Sequence, residues 1–202
     1  MSAEILTATG QHVVLVAVSI AVAALVGLPL GILFSRRPGW GRFGLGAVGV
    51  LQTIPSLALF GLLIPVPVVG GIGTRTALVA LTLYALLPIV RSTVVGITGV
   101  DPAVREAARG LGMTNRQLLL RVELPLAASV ILAGIRVATV IGIGVATIAA
   151  AIGAGGLGVF IFRGVAMLDH RTILAGALPA ALLALGADLA LGAVERRLRP
   201  PR

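Results

Sequence analysis

A chain of 202 residues that is 58% hydrophobic and 11% charged, with a mean hydropathy of +1.10, is too apolar for a soluble domain and belongs in a bilayer. The net charge of +9 comes from arginines alone, spread among short loops without a soluble basic face or aromatic clusters, which argues against nucleic acid. The absence of cysteine excludes disulfides and thiolate metal sites or nucleophiles, and the length leads us to expect one membrane domain, residues 1–202, without a fused globular module.

Five apolar runs match the ~20 residues that cross a ~30 Å hydrocarbon core. Val13 to Phe34 is the first; it is too long for a signal-peptide core and has only Glu4 as a charged lead-in, so it reads as a retained helix. Its Gly27 and Gly31 read as small-residue packing positions rather than a dimer seam. Leu45 to Val69 is the second, broken by Pro55 and closed by Pro65 and Pro67. Gln52, Thr53, Pro55 and Ser56 have two readings: they bond backbone freed by the proline, or they line a polar path at a helix break, and the second is favoured. The third run is Thr76 to Val95, with Pro88 near its end and Arg91 at its rim; the fourth is about Arg136 to Leu157 and the fifth Ile173 to Val194. Irregular backbone facing lipid is not tolerated, so the expected fold is an all-α membrane protein of about five spans.

Between the third and fourth spans lies the polar stretch Asp101 to Pro125, DPAVREAARGLGMTNRQLLLRVELP. Asp101 followed by Pro102 predicts a capped helix start. Val104, Ala107, Ala108 and Leu111 form a narrow apolar stripe, with Arg105, Glu106 and Arg109 on the other side. Gly112 predicts a stop, and Thr114 with Gln117 predicts a capping box that opens a second helix running to Pro125. A helix, a turn and a helix displayed in the cytosol are an offer to a partner.

Arginine placement predicts the orientation. With the N-terminus outside, the inner loops hold Arg36, Arg37, Arg42, Arg91, Arg105, Arg109, Arg116, Arg121, Arg196, Arg197, Arg199 and Arg202, and the outer loops only Arg75, Arg163 and Arg171. The positive-inside rule then makes 101–125 cytosolic and puts the C-terminus inside. Arg136 is expected near the cytosolic rim, anchoring in headgroups; the alternative is a buried role with Asp188 as partner.

Glu106, Ala107, Ala108, three residues, Gly112, nine residues, Val122, one residue, then Leu124 and Pro125 resembles the cytosolic EAA loop of ABC importer permeases, with Val122 where isoleucine is usual. Gln52 to Leu59 (QTIPSLAL) and Ala151 to Gly164 (AIGAGGLGVFIFRG) resemble the corresponding segments of the osmoprotectant branch, which serves glycine betaine, carnitine and choline. The resemblance implies a type I importer permease architecture (MetI-like) in a bacterial inner membrane, with alternating access driven by ATPase closure. It assigns ATPase coupling to Glu106, Ala107, Ala108, Arg109, Gly112, Leu124 and Pro125. It implies as partners cytosolic ABC ATPase subunits, a second permease copy or paralogue, and an external substrate-binding protein. An amino acid such as methionine is the alternative substrate, and an ATP-independent carrier the alternative class.

Three further motifs are read from the residues. Gly153, Gly155 and Gly158 spell G-x-G-x-x-G, but after a membrane helix, with no strand before it and no acid about 20 residues on, so with Gly156 they read as a structural turn and not a cofactor site. A lysine-free chain has no nucleotide P-loop, so ATP and Mg belong to the partner. His12 and His170 stand apart from ligand-spaced acids, G-x-S-x-G is absent, and the expectation is no metal site and no catalysis. At 3% aromatic the chain offers few faces to grip a quaternary ammonium, so tight capture is expected on the external binding protein.

Overall fold

The computed structural model describes residues 2–67 and 69–198, and among them every regular element is helical. The chain opens on α1, Ser2–Arg36, which begins well before Val13 because Thr7 and Thr9 return their hydroxyls to the carbonyls of Ala3 and Ile5 at 3.0 and 2.8 Å. At about 1.5 Å per residue, its 35 residues outreach the hydrocarbon core. Then come α2, Pro38–Thr53, and α3, Ser56–Leu63, bent by 97° at Ile54–Pro55. The next span is α4, Thr74–Thr98.

α1 and α4 run parallel. Ser19 meets Leu78, Gly27 meets Ile89 and Gly31 meets Thr93, so both numbers rise together along the contact. A Cβ on Gly31 would lie 2.5 Å from that of Thr93, which is why the backbones approach so closely there. Two parallel neighbours need a return path between them, and the bent α2–α3 pair supplies it. Among the described residues four helices are long and apolar enough to span, and the bent pair makes the fifth crossing.

The fourth span is α7, Leu124–Ile148, and not a helix starting near Arg136. It is antiparallel to α4 and α1: Gly96 lies against Ala127, Gly134 against Pro88 and Ser92, and His12 against Ile143. The fifth span, α9, His170–Arg197, is capped by Asp169. The Thr172 hydroxyl first, then the Arg171 N–H, hold the Asp169 carboxyl below its usual range. Leu174, Leu178, Leu182, Leu185 and Leu189 point outward from α9 at helical spacing, a surface that matches lipid. The interior is built from small residues, with Ala23, Ala77, Ala80, Ala138, Ala146 and Ala149 all buried. Within a bilayer, where burial itself drives little, close van der Waals contact holds such helices together.

Candidate functional site

The chain leaves α4 through Thr98 and Gly99 into α5, Pro102–Gly110. The Asp101 carboxylate accepts from the N–H of Ala103 at 2.8 Å, and Pro102 occupies the first turn. Of the expected stripe, Ala108 alone turns inward; Val104, Ala107 and Leu111 are exposed together with Glu106 and Arg109. The apolar side of α5 is thus uncovered within this chain, and Leu111 keeps 81% of its surface. Gly112, at φ +78°, ends the helix in a left-handed conformation that costs a glycine little. Thr114 and Gln117 then make the reciprocal capping box, at 2.8 and 3.3 Å, that opens α6, Asn115–Leu118.

The second helix does not stop at Pro125. A single π turn, Leu119–Glu123, joins α6 directly to α7, with the N–H of Leu124 reaching Leu119. Pro125 has no N–H to give, and a turn widened by one residue accommodates its ring where a tight α turn would clash. Leu124 is half-buried and Pro125 exposed at this junction. From Asn115 onward, α6, the π turn and α7 form one continuous rod.

Glu123 lies in the π turn with 1% of its side chain exposed. Arg36, the last residue of α1, ion-pairs with it through two nitrogens, and Arg105 of α5 approaches it at 3.2 Å. Arg105 also donates to the carbonyl of Ile97 in α4. The motif reading passed over Glu123 because it fills a position that the spacing leaves free. A carboxylate set between Val122 and Leu124 was the available signal.

Gln52, Thr53, Pro55 and Ser56 lie at the α2–α3 bend. Gln52 donates at 2.9 Å to the carbonyl of Tyr84, and Tyr84 donates its hydroxyl to the carbonyl of Ile54. Tyr84 stands four residues before Pro88, so its carbonyl is the one that this proline leaves without a helical partner. Thr53 bonds back to Val50 at 2.7 Å. The freed backbone at both prolines is thus partly satisfied by this cluster. Gln52 also borders a cleft of about 280 Å³ shared with Pro88, Arg91, Ser92, Val137 and Ile141. Thr53 and Pro55 are exposed and Ser56 is half-buried.

Arg136 is twelve residues into α7, about 18 Å from its start, and faces the last turns of α9. It donates to both oxygens of Asp188 at 2.6 and 2.7 Å and to Glu195 at 3.2 Å. Asp188, the candidate partner, is therefore bound to Arg136. Arg199 and Arg202 of the inner set lie outside the described residues.

At the opposite end of the bundle Gly153, Gly155 and Gly156 all have positive φ, between +75° and +80°. The turn links α7 to α8, Gly158–Ala166. Gln11 accepts from the N–H of Gly156 at 3.1 Å, and buried His12 bonds the carbonyl of Ile143 at 3.1 Å. A Cβ on Gly158 would lie 1.8 Å from the carbonyl oxygen of Thr147. These glycines make the tight turn and close helix approach that their context suggested.

Residues 15–200 match the family of binding-protein-dependent transport system inner membrane components. The chain is 47% identical over 197 residues to the carnitine transport permease protein OpuCB of Listeria monocytogenes, covering 98% of this chain and 89% of that protein. It is 47% identical to the osmoprotectant import permease protein OsmW of Salmonella typhimurium, covering 95% of this chain and 90% of that one. With the choline transport system permease protein OpuBB of Bacillus subtilis it shares 41% identity, over 98% of this chain and 89% of the relative. Its fold is similar to a chain of the inward-facing MetNI methionine ABC transporter, at a TM-score of 0.89 and 23% identity, covering 99% of this chain and 98% of that one. Near full-length identity to permeases and the matching helical bundle lead to one conclusion: the chain belongs to the family of inner membrane components of binding-protein-dependent transport systems.

Proposed function

We propose that this chain is the permease subunit of an ATP-driven importer of osmoprotectants such as glycine betaine, carnitine or choline. The observation that carries the reading is α5, an EAA helix whose Glu106 and Ala107 are exposed and whose apolar flank is uncovered, in a chain related throughout to carnitine and osmoprotectant permeases. On this reading α5 faces the cytosol, the N-terminus is outside and the C-terminus inside, and the chain sits in a bacterial inner membrane. A cytosolic ATPase, which holds the ATP and Mg, receives Glu106, Ala107, Ala108, Arg109 and Gly112; Leu124 and Pro125 form the root through which its closure reaches α7.

Two permease copies, or this chain with a paralogue, enclose the path, and an external binding protein delivers the substrate. The bend at Gln52–Ser56 supports a place on that path, since backbone broken at a proline is tolerated at membrane depth only beside protein or water. The glycine turn 153–158 is structural. Closure of the ATPase drives alternating access, a switch between two packings of the bundle.

The test is uptake into proteoliposomes holding the permease, its ATPase and its binding protein, with glycine betaine, carnitine, choline and methionine as competitors. Competition by the quaternary amines and none by methionine is expected. An amino acid such as methionine is the alternative substrate, and competition by methionine alone would establish it. Uptake that persists without any ATPase would overturn both.

A further inference from the structure

We propose that Glu123 is a positioning residue that ties the coupling helix to the first span, so that displacement of α5 moves α1 and α7 as one body. The inference rests on the coupling role given to α5 above. The covalent route from α5 to α7 runs through Gly112, whose left-handed turn is a pliable joint. The side-chain route is stiffer. Among the described residues, Arg105 makes the side-chain polar contacts of α5 with the bundle: one to the Ile97 carbonyl at the end of α4, the other to Glu123. Glu123 in turn holds Arg36 at the end of α1. One carboxylate therefore meets three of the structure's elements where they converge: α1, α5 and the π turn at the root of α7.

The chemistry suits a rigid joint. With 1% of its side chain exposed, Glu123 has its partners in the two guanidinium groups, and breaking a buried ion pair by withdrawing one partner is costly. The Arg36 fork holds Glu123 through two nitrogens and so fixes direction as well as distance, while the Arg105 guanidinium spans the Ile97 carbonyl and, as a charge contact through Nε, Glu123. A π turn, already widened, is a common place for a helix to adjust. Pulling on α5 then draws on Arg105, Glu123 and Arg36 together, and α1 follows although no covalent link of fewer than about 60 residues joins it to α5.

Glu123→Gln in the reconstituted complex, with glycine betaine as substrate, tests the proposal. The variant is expected to assemble with its ATPase to near wild-type yield. Stimulation of ATP turnover by loaded binding protein and substrate moved per ATP should each fall at least about fivefold, the lower end of typical coupling between sites. Glu123→Asp should restore part of both. Arg36→Gln should uncouple likewise, and Arg36→Gln with Glu123→Gln should be no worse than Glu123→Gln alone, since members of one network are not additive.

Unchanged transport per ATP in Glu123→Gln overturns the proposal. If that variant fails to assemble, Arg36→Lys and Arg105→Lys, which keep the charge and lose the fork, decide it: full coupling in both is equally fatal. Ala107→Trp in the same preparation separates the two levels. If it uncouples while Glu123→Gln does not, only this inference fails; if neither does, the coupling role of α5 fails as well.

Discussion

Arg136 of α7 and Asp188 of α9 form a bidentate pair at 2.6 and 2.7 Å that joins two of the long apolar helices. Glu195, two turns further along α9, takes the remaining guanidinium edge at 3.2 Å. A charge left without its partner between apolar helices is costly, and the bidentate geometry supplies that partner. Asp188→Leu, which strands Arg136 with Glu195 alone, should lower the melting temperature of the purified subunit. Arg136→Leu with Asp188→Leu should recover part of the loss, since an apolar pair of similar size replaces the bidentate ions while Glu195 still loses its bond to Arg136. Differential scanning fluorimetry in detergent reads both, and a double variant less stable than the single would show that the pair is not the reason these charges are tolerated.

Ala107 projects from α5 into solvent, so a larger side chain there meets nothing in this subunit. Ala107→Trp should leave expression and melting unchanged. Against a fitted ATPase groove the same bulk costs on the order of 1–3 kcal/mol of packing, and co-purification of the ATPase should fall. An undiminished complex would place the groove elsewhere.

Ile72 is 82% exposed at the loop before α4, and Asn115 is exposed at the start of α6. The chain has no cysteine, so introduced thiols carry no background. Ile72→Cys should react with an impermeant maleimide on intact cells, and Asn115→Cys only after lysis. The reverse pattern would invert the orientation.

Ser56 opens α3 beside the bend and is half-buried. If the bend borders the path, Ser56→Trp should abolish uptake into proteoliposomes while the complex assembles and ATP turnover still responds to loaded binding protein. Should the site be ordinary packing, yield falls instead, and unimpaired uptake removes the segment from the path.

Gly158 allows α8 to start against the end of α7, where a methyl group would overlap the Thr147 carbonyl oxygen. Gly158→Ala should cost about 1–3 kcal/mol by overpacking, seen as a lower melting temperature. Gly144, where an added Cβ would meet nothing within 4 Å, is the control, and Gly144→Ala should be neutral.

Local patterns of residues determined much of this protein. Apolar runs of spanning length marked the helices, because every backbone group in hydrocarbon must bond within its own segment. Asp101–Pro102, Gly112 and the Thr114–Gln117 box marked the ends of α5 and the start of α6, because capping is a contact between residues two or three apart. The same locality misled at Pro125: proline ordinarily ends a helix, but the π turn before it let the rod continue from α6 into α7.

Three relationships needed the tertiary structure, each joining residues of separate helical elements. Gln52 satisfies a carbonyl freed by Pro88, Arg136 meets Asp188 and Glu195, and Arg36 and Arg105 converge on Glu123. A charge in the sequence shows that a partner is required, since burial without one is costly. Which partner it finds depends on helix direction and register, and in this bundle close small-residue contacts such as Gly31 on Thr93 set them.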